Sequence, residues 1–177
     1  LACGAGSQTV RAAQRVGPSG RVTANDIASN MLGFVASNAA SAGLSNVETL
    51  HSPAEGLSDR SLHVDAATCR FGLMLFQAPQ SALDAVRSVL AEGGRFAALV
   101  FASPDDNPLF SRTMMIALAH AGKSPPPPGS PGLFALSDPD RLQNLFEETG
   151  YSDPKVEQVT ARLTVASVDN ALTMMQE

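Results

Sequence analysis

Leu1-Ala2-Cys3-Gly4-Ala5-Gly6 leads into a helical stretch and then into Arg21-Val22-Thr23-Ala24-Asn25-Asp26-Ile27. Residues 1–3 read as the end of a strand, and Gly4-Ala5-Gly6 turns the chain into a helix over 8–16, stopped by Gly17-Pro18-Ser19-Gly20. Glycines at such a turn let a ligand approach the backbone, and the helix start offers unpaired N–H groups. Asp26 ends the next strand, over 21–27, twenty positions after Gly6. There a carboxylate can accept hydrogen bonds from ribose hydroxyls. The pairing points to a nucleotide-type site. The plainer alternative is a tight turn with a solvated aspartate. A dinucleotide fingerprint begun at Gly4 needs glycine at position 9, which is Thr9, and this counts against NAD(P).

Outward from this unit, strands and helices alternate. A helix over 29–42 ends at Gly43, suited to the left-handed closing position, and a short strand covers 47–52. A strand over 63–71 precedes a helix over 81–91, with Leu83, Val86 and Leu90 at helical spacing and Gly93-Gly94 as its stop. The apolar run over 95–102 reads as a buried strand. The alternation breaks in an irregular insert, 103–136, which holds a helix over 108–121 and the proline run Pro125-Pro126-Pro127-Pro128. Ser137 or Asp138 caps the next helix, Pro139 suits its first turn, and Leu142, Leu145 and Phe146 form its inner stripe before Gly150. Residues 155–167 alternate as a strand, and a further helix begins at 168. The pattern predicts one α/β domain over 1–177, doubly wound on a mostly parallel sheet with helices on both faces.

Composition excludes other classes. Lys plus Arg is 12 and Asp plus Glu is 17, a net charge of −5, and no basic run serves phosphate binding, so no nucleic-acid partner is expected. The longest apolar run, 96–102, is far shorter than the roughly 20 residues of a membrane span. Cys3 and Cys69 fit no zinc spacing, and two cysteines make no disulfide framework; a reducing, cytoplasmic setting and no metal are expected. The pattern leaves the oligomeric state open.

With these motifs assembled, the chain resembles the class I S-adenosylmethionine-dependent methyltransferases, especially the ubiquinone and menaquinone biosynthesis C-methyltransferase branch. Ala2-Cys3-Gly4-Ala5-Gly6 is similar to that family's glycine motif, with Ala2 in place of its first glycine. The family's acidic residue would fall two positions before Ala2, ahead of Leu1. Gly20 to Ile27, then Met31, resembles the second motif, in which Asp26 would hold the ribose and Ile27 pack on adenine. Pro53-Ala54-Glu55-Gly56-Leu57 resembles a segment that begins with aspartate, replaced here by Pro53, while Ala54 retains its N–H for the base. Arg70 and Phe71 fall in the loop facing the cofactor, and Leu90 to Phe96 resembles the Gly-Gly entry to the fifth strand. The resemblance implies S-adenosyl-L-methionine as cofactor, bound by Ala2, Cys3, Gly4, Ala5, Gly6, Asp26, Ile27, Met31, Pro53, Ala54, Glu55, Arg70 and Phe71, and a small organic molecule as methyl acceptor. It also implies a domain truncated at both ends, lacking most of the central strand and the last strand, and therefore marginally stable.

Methyl transfer from a sulfonium is an in-line displacement, in which positioning alone is worth about 7–11 kcal/mol, so no catalytic triad is required. None is visible, and Ser7 does not fit a nucleophile elbow. His51, His63 and His120 are the candidate general bases, each weighed against a structural role. Arg70 is placed to meet an anionic acceptor or the cofactor carboxylate, or else is a solvated arginine. Cys3 and Cys69 read as packed residues. Phe110, Met114, Met115, Leu133 and Phe134 give the insert an apolar, substrate-side character, against the plainer reading of a helix packed on the domain. Two alternatives stand beside methyl transfer: a degenerate member that binds a nucleoside or a partner without turnover, and an NAD(P)-dependent reductase.

Overall fold

The protein is described by a computed structural model covering residues 1–127, 129–162, 164–170 and 173. The element order is α1 (Ser7–Val16), β1 (Val22–Asp26), α2 (Ser29–Ser41), β2 (Val47–His51), β3 (Val64–Arg70), α3 (Pro79–Val89), β4 (Leu90–Leu99), α4 (Pro108–His120) and α5 (Pro139–Glu148), with short 3-10 turns at Ala54–Leu57 and Leu73–Leu75. β1 pairs parallel with β2, from Val22 opposite Val47 to Asp26 opposite His51. β3 pairs parallel with β4, ending with Arg70 opposite Leu99.

Residues 1–3, expected as a strand, carry no strand assignment, yet they lie between the two pairs. The Leu1 nitrogen donates to the Thr68 carbonyl at 2.8 Å on one side, and Cys3 N–H donates to the Asn25 carbonyl at 3.1 Å on the other. The spatial order is therefore β2, β1, residues 1–3, β3, β4. One bond to each side is too few for a ladder but enough to set the position of the glycine turn.

Helix placement follows from small and branched residues at helical spacing. Thr9 and Ala13 of α1 and Leu32, Val35 and Ala39 of α2 are buried, and both helices pack on β1 and β2. Gly43, with φ +68°, closes α2 in the left-handed conformation, its N–H donating to the Ala40 carbonyl at 3.0 Å. α3 supplies Leu83 and Val86 to the core, where Leu83 meets Cys69, Leu73, Met74 and Leu136. Full burial of a leucine of this kind contributes about 2–3 kcal/mol. The core faces Ala67 and Cys69 of β3 and Phe96 and Ala98 of β4. On the opposite face Thr68, Arg70, Ala97 and Leu99 are exposed.

Two expectations need correction. Gly93-Gly94 does not end α3: the helix stops at Val89, Leu90 turns straight into extended backbone, and the glycines lie inside β4. The pairing advances two residues on β3, from Val64 to Ala66, against five on β4, from Leu90 to Arg95. Gly93, at φ +73°, absorbs that bulge. Residues 155–162 and 164–167 form no strand. Their alternation finds no edge to pair with, and Val159 is 76% exposed and Val165 39%; a strand without a ladder leaves its apolar face in water. Of the helix expected from 168, residues 168–170 and 173 are helical, and the rest of it, like Leu163 of the expected strand, lies outside the described residues.

The α5 start is as expected, with the cap at Asp138, whose Oδ1 accepts from Asp140 N–H at 2.9 Å and from Arg141 N–H at 3.4 Å. Beyond it, the Tyr151 hydroxyl donates to the Leu83 carbonyl at 3.0 Å, and burial pushes its phenol up to about 12.

Candidate functional site

The glycine turn is held from three directions. Gly6, at φ +88°, caps α1 in the left-handed region, and a side chain there would meet Val35 at 3.0 Å; glycine is needed both for conformation and for the α1–α2 approach. Asn38 of α2 donates its side-chain amide to the Ala5 carbonyl at 2.8 Å. Gly4 N–H donates to Asp26 Oδ2 at 2.9 Å. Ala2 itself adopts φ +47°, a left-handed conformation that costs an L-residue roughly 1–2 kcal/mol. This explains why glycine suits the position and marks Ala2 as a strained replacement. A Cβ on Gly72 would overlap the Ala2 side chain, so the Gly72 backbone packs directly against the Ala2 methyl group.

Asp26 is the hinge of the site. Its Oδ1 accepts from Ala28 N–H at 2.9 Å while Oδ2 is held by Gly4, so one carboxylate ties the turn to the start of α2. A carboxylate has about four acceptor positions, and two are occupied, which leaves capacity for a pair of hydroxyls. Ile27, next to it, is 71% exposed, and Met31 is half-buried in the first turn of α2.

Pro53, Ala54 and Glu55 are brought alongside by backbone bonds. Ser52 N–H donates to the Asp26 carbonyl at 3.3 Å, and the Asn25 amide donates to the Leu50 and Ser52 carbonyls at 3.2 and 2.8 Å. Pro53 is exposed and precedes the 3-10 turn, Ala54 is buried at its first position, and Glu55 is half-buried. An N–H at the start of a turn has no acceptor within it, so Ala54 keeps a free donor direction.

Arg70, exposed at the end of β3, donates from Nη2 to Ser7 Oγ at 2.7 Å. Its guanidinium thus lies at the first turn of α1. Phe71 follows at φ +59°, unusual for an aromatic residue and a mark of local strain, and its ring stacks on Phe101 at 4.7 Å. Phe101 also meets Phe110 of α4 at 4.9 Å and Phe134 at 6.2 Å. Four aromatic rings therefore gather at the carboxyl ends of β3 and β4, the edge where ligands of open α/β sheets bind.

The candidate bases do not converge. His51 Nε2 lies 2.9 Å from the Ile27 carbonyl. His63 precedes β3, at the sheet edge opposite the glycine turn, and His120 ends α4, about 15 Å along the helix from Phe110 by its rise. Burial raises the Cys69 and Cys3 thiols, with Asp26 adding to the effect at Cys3. Both stay protonated and act as packing. A cleft of about 660 Å³ lies elsewhere, between the start of α3 and α5, lined by Gln80, Asp138, Arg141 and Asn144 among others. Its mixed charges lack the donor set of the glycine turn. Among the described residues no cluster of metal-ligating side chains occurs, and no helix is long and apolar enough to cross a membrane.

Asn25 and Asn38 are fixing residues that motif reading passes over, and His51, read from the sequence as a candidate base, is a third. An asparagine holding a neighbouring strand looks, in sequence, like any polar residue at a strand or helix surface.

This arrangement is the class I, Rossmann-like architecture. In fold it is similar to a solved chain from Clostridium thermocellum described as an rRNA-methylase, with a TM-score of 0.52 at 19% identity over 67% of this chain and 66% of that one; at that identity the likeness is one of fold alone. A model of the ubiE/COQ5 methyltransferase family matches residues 1–118, and the chain belongs to that family. Two relatives are the ubiquinone/menaquinone biosynthesis C-methyltransferases UbiE of Pseudomonas fluorescens, 35% identical over 113 residues (63% of this chain, 44% of the relative), and of Psychromonas ingrahamii, 36% identical over 110 residues (62% and 44%). The chain spans less than half the length of the curated relatives it matches.

Proposed function

We propose that this chain carries the cofactor half of a methyl transfer from S-adenosyl-L-methionine to a small organic acceptor. The observation that supports it most is Asp26, fixed by Gly4 and Ala28 beside an exposed Ile27. When bound, the cofactor supplies an electrophilic methyl carbon. Asp26 accepts the ribose hydroxyls, Ile27 and Ala54 flank the base with Met31, Pro53 and Glu55 around it, and Ala2, Cys3, Gly4, Ala5 and Gly6 line the amino-acid end. Arg70, docked on Ser7 at the first turn of α1, meets the cofactor carboxylate with a full positive charge and the helix dipole behind it.

The acceptor sits, in this reading, against the aromatic group of Phe71, Phe101, Phe110 and Phe134, with 103–136 as the substrate-side segment of a single domain. The relatives are named for ubiquinone and menaquinone biosynthesis; a flat ring of that precursor type suits four phenylalanines, which pair with rings at about 0.5–1.5 kcal/mol beyond area burial. His63, His120 and the protonated thiols stand apart from the aromatic group, so in this reading the residues there orient the acceptor and exclude water. A cytoplasmic setting accords with the free, protonated cysteines.

Transfer of a labelled methyl group from the cofactor to a demethylated quinone precursor tests the reading, and the absence of transfer to any such acceptor would remove it. Ala2 and Pro53 favour a second reading, cofactor binding without turnover; binding of S-adenosylhomocysteine with no transfer is its signature.

A further inference from the structure

We propose that His51 is a positioning residue for the base-binding edge of the cofactor site, acting through the Ile27 carbonyl. The inference rests on the reading of Asp26 and Ile27 as cofactor contacts.

The β1–β2 ladder ends with Asp26 opposite His51, and Ile27 lies one residue past it. Beyond a ladder a carbonyl depends on side chains or water for a partner. The Ile27 carbonyl is instead met by His51 Nε2 at 2.9 Å. A carbonyl only accepts, so this contact places the proton on Nε2 and leaves Nδ1 as the free ring nitrogen. The imidazole is thereby fixed across the strand gap.

The tie is reciprocated. Asn25 of β1 donates its side-chain amide to the Leu50 and Ser52 carbonyls of the β2 side at 3.2 and 2.8 Å, while His51 of β2 holds a carbonyl of the β1 side. Each strand end thus grips the backbone of the other by a side chain. The two segments so joined carry Ile27, 71% exposed, and Pro53 with Ala54. In the cofactor reading these are the residues that flank the base. Ile27 has little packing of its own to hold it; the N–H of the same Ile27–Ala28 peptide group donates to Asp26 Oδ1 at 2.9 Å, and the peptide group before Ile27 is held at the Asp26 carbonyl by Ser52 N–H at 3.3 Å. With both flanking peptide groups restrained, Ile27 is set before a ligand arrives, and less ordering is lost on binding.

The test separates the donor from the ring. The 177-residue chain and its His51→Phe and His51→Gln variants are titrated with S-adenosylhomocysteine and with adenosine. His51→Phe keeps a ring without the donor and is expected to weaken both ligands roughly five- to tenfold, the worth of one hydrogen bond. His51→Gln donates from its amide and is expected to return both affinities to within about twofold of the parent. Unchanged affinity in His51→Phe, or equal losses in both variants, overturns the inference and leaves the cofactor reading standing. Failure of the parent chain to bind either ligand removes both. Imidazole ¹⁵N spectra of the unliganded parent are an independent check: the Nε2–H tautomer is expected, and the neutral Nδ1–H tautomer contradicts it.

Discussion

The Gly4 N–H donates to Asp26 Oδ2 at 2.9 Å across 22 positions of sequence, joining the glycine turn to the end of β1. Because Oδ1 holds Ala28, the same carboxylate sets the start of α2. Asp26→Ala is expected to cost about 1–3 kcal/mol of stability, since two N–H groups lose a charged acceptor. Asp26→Asn retains one acceptor oxygen and turns an NH2 group toward the other N–H. It should unfold between the parent and the alanine variant, as read by urea denaturation midpoints.

Ala2 holds φ +47° where glycine carries no steric penalty. Ala2→Gly is expected to stabilise the chain by about 0.5–1 kcal/mol, the relief of strain exceeding the added freedom of the unfolded state. A thermal midpoint raised by roughly 2–4 °C is the expected result; an unchanged or lower one would mean that the strain at Ala2 is absent.

The converse substitution lies across the contact. Gly72→Ala puts a methyl group onto the Ala2 side chain and within 2.9 Å of Cys69 Sγ. Neither can retreat, Cys69 being 1% exposed in the core, so a loss of roughly 1–3 kcal/mol is expected. Ala2→Gly in the same chain should recover part of it, a coupling that a double-mutant cycle measures.

Tyr151 ties the end of α5 to α3. Its folded-state phenol, pushed up to about 12 by burial from an ordinary 10, favours the protonated form. The stability that this confers is complete below pH 10 and is lost as the pH rises from 10 through 12. Thermal midpoints should fall over that window in the parent, and Tyr151→Phe, lacking the ionisation, should show a shallower fall.

Local signals made much of this fold legible. Gly6 before a helix, Gly43 after one, and Asp138-Pro139 at an N-terminus are each fixed by the chemistry of one or two residues, and the structure puts them where that chemistry requires. Asp26 at a strand end was legible for the same reason. Tertiary relations were less so. Gly93-Gly94 serves a helix stop and a strand bulge equally well in sequence, and the registry of β3 against β4 decides between them. The alternation of 155–167 is a strand only if an edge receives it. The ties of Asn25, Asn38 and His51 depend on which backbone carbonyl lies opposite, and the left-handed Phe71 on its stacking against Phe101, neither of which periodicity encodes.

Phe101 separates the acceptor reading from the cofactor reading. Phe101→Ala removes the ring at the centre of the aromatic group and is expected to lower kcat/KM for a quinone-precursor acceptor by roughly tenfold, while the affinity for S-adenosylhomocysteine stays within about twofold. Equal effects on both would place the aromatic group in the framework rather than against the acceptor.

The central claim, that the Gly4–Asp26 edge is a cofactor site, is tested most directly by calorimetric titration of the 177-residue chain with S-adenosylhomocysteine, beside its Asp26→Ala variant. The expected result is saturable one-to-one binding in the parent, weakened by at least about tenfold in the variant, as for lost hydrogen bonds to a charged group. No binding by the parent at millimolar ligand, or equal affinity in the two proteins, would contradict it.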